Sequence, residues 1–72
     1  MELIGTNSDM SQVSMSRDEL LIISAALNEI CNGIEVFEFE TRIGATRDRV
    51  GALLKQLKSL LVMMERQSES GN

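Results

Sequence analysis

Cys31 is the one thiol in this 72-residue chain, and the chain contains no histidine. A cysteine acts as a nucleophile when a neighbouring base or cation holds it as thiolate. Without histidine the obvious base is missing, and a free cysteine otherwise ranks among the most buried small apolar groups. The same shortage excludes a soft or imidazole metal site, and a lone cysteine forms no internal disulfide. The eleven acids could do acid–base work at neutral pH only where burial raises their pKa. They fall instead in polar stretches, and no glycine-rich phosphate loop is present. The sequence therefore assigns no catalytic residue, no metal ligand and no cofactor, and predicts a protein that binds and does not catalyse.

The remaining chemistry is charge, and it is unevenly placed. From Ser16 to Glu40 one base, Arg17, stands against Asp18, Glu19, Glu29, Glu35, Glu38 and Glu40, a balance of −5. From Thr41 to Lys58, Arg42, Arg47, Arg49, Lys55 and Lys58 stand against Asp48, a balance of +4. Such asymmetry steers charged partners; the plainer alternative is a soluble surface with chance clustering. The net charge of −4 argues against general affinity for nucleic acid.

Elements must hold these groups in place. A chain this short makes one domain and buries only about 60% of its unfolded surface, so it leans on tight helix packing or a partner subunit. Residues 1–13 are polar, with Gly5, Asn7, Ser8, Asp9 and Ser11, and read as a mobile arm. They lack the basic start and apolar run of a signal peptide. No apolar stretch approaches the roughly 20 residues that span a bilayer, so the sequence predicts a cytoplasmic protein with no membrane contact.

A first helix is predicted over about 17–32. Ser16 and Glu19 form an S-x-x-E capping box, with Met15 and Leu20 at the staple positions. Asp18 complements the helix dipole, and Gly33 can end the helix in the left-handed conformation. Leu20, Ile23, Leu27 and Ile30 make its apolar stripe; Leu21, Ile22, Ala25, Ala26 and Cys31 widen it beyond one seam. From Ile34 to Phe39 the pattern alternates and suits a brief extended link; a short helix over about 37–43, ended by Gly44, is the preferred reading. A last helix is predicted over about 46–66, with Thr46 as N-cap and Val50, Leu54, Leu57 and Leu61 as its seam, continuing to Met64. Gly51 inside it suggests close approach of a neighbouring backbone. Residues 67–72 read as a disordered tail, leaving 14–66 as the helical domain.

Two resemblances add to this reading. Phe39 to Leu57, F-E-T-R-I-G-A-T-R-D-R-V-G-A-L-L-K-Q-L, resembles a helix-turn-helix. Gly44 opens the turn, and Phe39, Ile43, Ala45, Val50 and Leu53 fill the tri-helical core. The resemblance implies a DNA-binding transcription regulator, with Arg42, Thr46, Arg47 and Arg49 at the groove. Glu40 departs from that pattern, which wants a small residue there. The strings A-L-N-E-I-C-N-G-I and E-F-E-T-R-I-G, from Ala26 and Glu38, resemble small uncharacterised bacterial proteins, some beside polymorphic toxin genes. That implies an acidic immunity-type inhibitor that occludes a cognate protein. Glu35, Phe37, Glu38 and Glu40 would then be the contact patch, carboxylates around an aromatic anchor. The plain alternative for both phenylalanines is core burial, Phe39 being the stronger core candidate.

Together these give an all-α, tri-helical protein: a hairpin of two longer helices with a short one between, paired as a homodimer through the apolar breadth of the first helix. The leading function is binding of a protein partner by the acidic link. A DNA-reading helix-turn-helix is the alternative.

Overall fold

The computed structural model describes residues 1–70. It is not all-α: an antiparallel β-hairpin precedes the helices. Strand β1 (Glu2–Thr6) pairs with β2 (Ser11–Ser14), Leu3 opposite Val13 and Thr6 opposite Ser11, with an irregularity between Leu3 and Gly5. The polar residues that suggested a loose arm supply the turn. The Asn7 side-chain oxygen accepts from the backbone N–H of Asp9 (2.8 Å) and of Met10 (2.9 Å), the way Asn closes tight turns. The hydroxyls of Thr6 and Ser11 meet at 2.8 Å across the strands.

Helix α1 (Arg17–Asn28) begins at the capping box. The Glu19 N–H donates to Ser16 Oγ (3.1 Å), and the Ser16 N–H donates to Glu19 Oε1 (2.9 Å). The predicted helix to residue 32 divides: beyond Asn28 the chain widens into a π-helical turn (Glu29–Gly33), closed by the Ile34 N–H on the Glu29 carbonyl at 2.9 Å. A π turn inserts a residue into a helical stretch, and here both Ile30 and Cys31 end up half-buried. The left-handed glycine that ends a helix is Gly44 (φ 87°), after α2 (Phe39–Ile43), which starts two residues later than the sequence predicts. Helix α3 (Arg47–Ser70) starts at its Thr46 cap, whose Oγ1 accepts from the Arg49 N–H at 3.1 Å. It runs past the predicted end at Arg66, since nothing from Gln67 to Ser70 breaks a helix. Of the expected disordered tail, residues 67–70 are helical and 71–72 lie outside the described residues.

Helices α1 and α3 pack side by side, and the π turn touches α3 as well. Since the start of α3 meets the end of the α1 segment, the two run antiparallel. The core between them is small: Leu20, Phe39, Val50 and Leu54 are buried. Leu27, Ile30, Leu57 and Leu61 are half-buried, and Ile23, expected inside, is exposed. Ser24 sits in the seam where periodicity calls for an apolar residue, four after Leu20, and its hydroxyl has no hydrogen-bond partner. Gly51 does not serve close packing, because a Cβ there would meet nothing within 4 Å.

The molecule is expanded for its mass. Its radius of gyration is 14.5 Å against about 11 Å for a compact chain of this length.

Candidate functional site

The acidic link joins the π turn to α2. In an extended segment residues two apart face the same side, so Phe37 and Phe39 would share one environment. They do not. Glu38 between them adopts the left-handed conformation (φ 51°, ψ 51°), the one non-glycine residue with positive φ among the described residues. That reversal breaks the alternation. Phe39 turns inward and is buried, while Phe37 stands 76% exposed. Glu35, Glu38 and Glu40, its neighbours in sequence, are exposed as well. Glu38 accepts the Arg42 N–H on its backbone carbonyl (3.1 Å) as the cap of α2, and its carboxylate takes no part in capping. A left-handed non-glycine residue costs about 1–3 kcal/mol, and such outliers cluster at binding sites. The link therefore displays an exposed aromatic ring on a segment whose charged residues are all acidic.

The basic side is arranged differently. The Arg47 Nη1 donates to the Cys31 carbonyl at 3.1 Å, satisfying an acceptor that the π turn leaves open. Its guanidinium also lies 4.6 Å from the centre of the Phe39 ring, within cation–π range. Arg47 thus clamps the end of the α1 segment to the start of α3. Thr46 is occupied as the cap. Arg42 and Arg49 are exposed, and Arg49 shares a shallow depression with Glu40, Gly44 and Ala45. The helix-turn-helix core is incomplete: Phe39 and Val50 are buried, but Ile43 and Leu53 are 40% and 48% exposed. The acidic set is exposed along one short segment, whereas the basic set is split between structural and exposed roles.

Cys31 is half-buried at the edge of a groove that Gly51, Lys55 and Lys58 also line. Among the described residues no group of three or more His, Cys, Asp or Glu is placed to hold a metal ion, and no helix is long and apolar enough to cross a membrane. Sequence reasoning missed the conformation of Glu38. No local signal marks it, because glutamate carries no preference for positive φ.

The architecture is thus a β-hairpin followed by a helical pair with a short cross-helix between. Compared with protein-family models, with curated proteins and with solved structures, the chain matches none.

Proposed function

We propose that this chain is a non-enzymatic binding module of the cytoplasm that docks on a basic cleft of a partner protein through residues 35–40, as an immunity-type inhibitor would. The observation that carries this reading is the exposure of Phe37 beside three carboxylates. An apolar ring held in water is stabilised by a partner that desolvates it, and aromatic side chains dominate the energetics of such contacts. The carboxylates add orientation and speed of encounter. The clamp made by Arg47 counts against a DNA-reading role, since that guanidinium already has partners.

The test uses the full chain as bait in a lysate of the cell that makes it. A protein retained by the wild type should be lost on Phe37→Ala and on the combined Glu35→Lys, Glu38→Lys, Glu40→Lys chain, and kept on the combined Arg42→Ala, Arg49→Ala chain. A titration against mixed duplex DNA at about 50 mM salt, where phosphate contacts are strongest, addresses the alternative. Micromolar binding that needs Arg42 and Arg49 would replace this reading with the helix-turn-helix one.

A further inference from the structure

A groove of about 500 Å³ runs between the π turn and α3, lined by Cys31 and Asn32 on one side and by Arg47, Gly51, Lys55 and Lys58 on the other. The four α3 residues are spaced by four, four and three, so they follow one face of the helix. Lys55 and Lys58 are exposed and in no ion pair with a described residue. Asp48 is the one acid in the lining. Glu29, the acid of the π turn, lies over Gly33 instead. The groove therefore carries a balance of +2 in a chain of net charge −4. Ala52 and Leu54 add apolar lining.

Gly51 has no use inside the chain. Glycine weakens a helix relative to alanine, yet a Cβ at this position would meet nothing within 4 Å. It stands one helical turn from Arg47 and one from Lys55, so its missing side chain leaves a notch in a row of cations. Such a notch admits another backbone close enough for its side chains to reach the charges on both sides. The opposite wall is set by the π turn, a distortion frequent at functional sites.

The spacing of the cations suits an extended peptide. Four helical residues rise about 6 Å, and alternate side chains of an extended chain are about 6.6 Å apart. Arg47 uses Nη1 on the Cys31 carbonyl and keeps further N–H donors on its guanidinium. A nucleic-acid strand carries a phosphate on every residue and would bring charge against Asp48 and the acidic half of the chain. A peptide can set a neutral residue there.

We propose that this groove binds an acidic segment of a partner protein in extended form, its backbone over Gly51 and its carboxylates on Arg47, Lys55 and Lys58. The groove shares no residue with the acidic link at 35–40 and takes a ligand of opposite sign, so failure of one surface leaves the other standing.

The probe is a peptide of alternating glutamate and alanine, blocked at both ends and about eight residues long, enough to exceed the ~16 Å from Arg47 to Lys58. It is titrated into the isotope-labelled full chain at about 20 mM salt, where exposed charges reach furthest. Amide resonances of Cys31, Asn32 and residues 47–58 should shift and saturate with a dissociation constant below about 1 mM, the scale of a few exposed ion pairs. Lys55→Glu with Lys58→Glu should abolish the shifts. Arg42→Glu with Arg49→Glu, equally basic positions outside the groove, should leave them. Gly51→Ala should raise the melting temperature, since the added methyl stands in open space and the helix gains. Gly51→Leu should weaken the peptide at least about tenfold by filling the notch. No binding, shifts elsewhere, binding that survives the lysine reversals or Gly51→Leu, or a melting temperature lowered by Gly51→Ala would each overturn the proposal. A single-stranded oligonucleotide of mixed sequence that binds this groove more tightly than the peptide would overturn it in favour of nucleic acid.

Discussion

The helical pair and the segments outside it are built by opposite means. Leu20, Phe39, Val50 and Leu54 are far apart in sequence and buried together; they hold α1 and α3 by removing apolar surface from water. The β-hairpin and the acidic link hold their shape through neighbours in sequence: Asn7 bonds two and three residues ahead, and the carbonyl of Glu38 caps the helix that begins next to it. Their apolar side chains, Leu3, Ile4 and Phe37, stay exposed. One region stores the stability of the molecule, and the other displays surface at small cost to it.

The sharpest way to break that contrast is to truncate the two phenylalanines. Phe39→Ala should cost about 3–5 kcal/mol, and Leu54→Ala about 2–5 kcal/mol, enough to unfold a domain this small. Phe37→Ala should change stability by less than about 0.5 kcal/mol. Urea unfolding followed by circular dichroism measures all three. Equal losses at Phe37 and Phe39 would mean that the link belongs to the core and that its ring is not available to a partner.

A smaller effect sharpens the boundary between the regions. Arg47→Ala removes the bond to the Cys31 carbonyl and the cover over Phe39, and should cost about 1 kcal/mol. Arg49→Ala, two residues on and without such partners, should cost less than about 0.5 kcal/mol. Thermal melts of the two variants should therefore separate. If they coincide, the clamp contributes nothing and Arg47 returns to the set of free basic residues.

The same division explains what the sequence let us read. The capping box at Ser16 and Glu19, the cap at Thr46, the stop at Gly44 and the seam through Leu20, Val50 and Leu54 all follow from spacing, because helix periodicity and cap chemistry are written in residue type. The hairpin escaped because Asn7, Asp9 and Ser11 serve a mobile arm and a tight turn equally well, and nothing in β2 but Val13 marks a strand. The π turn escaped because α and π turns share one residue vocabulary. At the acidic link the residues named from the sequence, Glu35, Phe37, Glu38 and Glu40, are all exposed. The sequence could not tell Phe37 from Phe39, since the choice rests on the backbone angle of a single glutamate. Ser24 was illegible for another reason: packing against α3 overrides the preference of a hydroxyl for water.

The smallest expected effect lies where the two regions touch. The amino group of Met1 pairs with the Glu19 carboxylate, tying the hairpin to the start of α1. This pairing, then the Ser16 N–H, holds the Glu19 pKa below its ordinary value of 4.5. A carboxyl whose pKa is lower in the folded chain stabilises the fold at any pH above the unfolded value. That contribution is constant near neutrality, begins to fall as the pH drops toward 4.5, and is gone once the pH passes below the folded pKa. The group is exposed, so solvent and salt weaken the pairing, and the melting temperature should move only slightly. Glu19→Gln keeps an oxygen for the Ser16 N–H but no titrating charge, so its melting temperature should fall less than that of the wild type between neutral and acid pH. Amide exchange gives a second readout. Acid should loosen the start of β1 before it loosens α1, because the tie to Met1 is lost while the apolar seam is untouched. Identical acid profiles for wild type and Glu19→Gln would show that the hairpin is not fastened through this carboxylate.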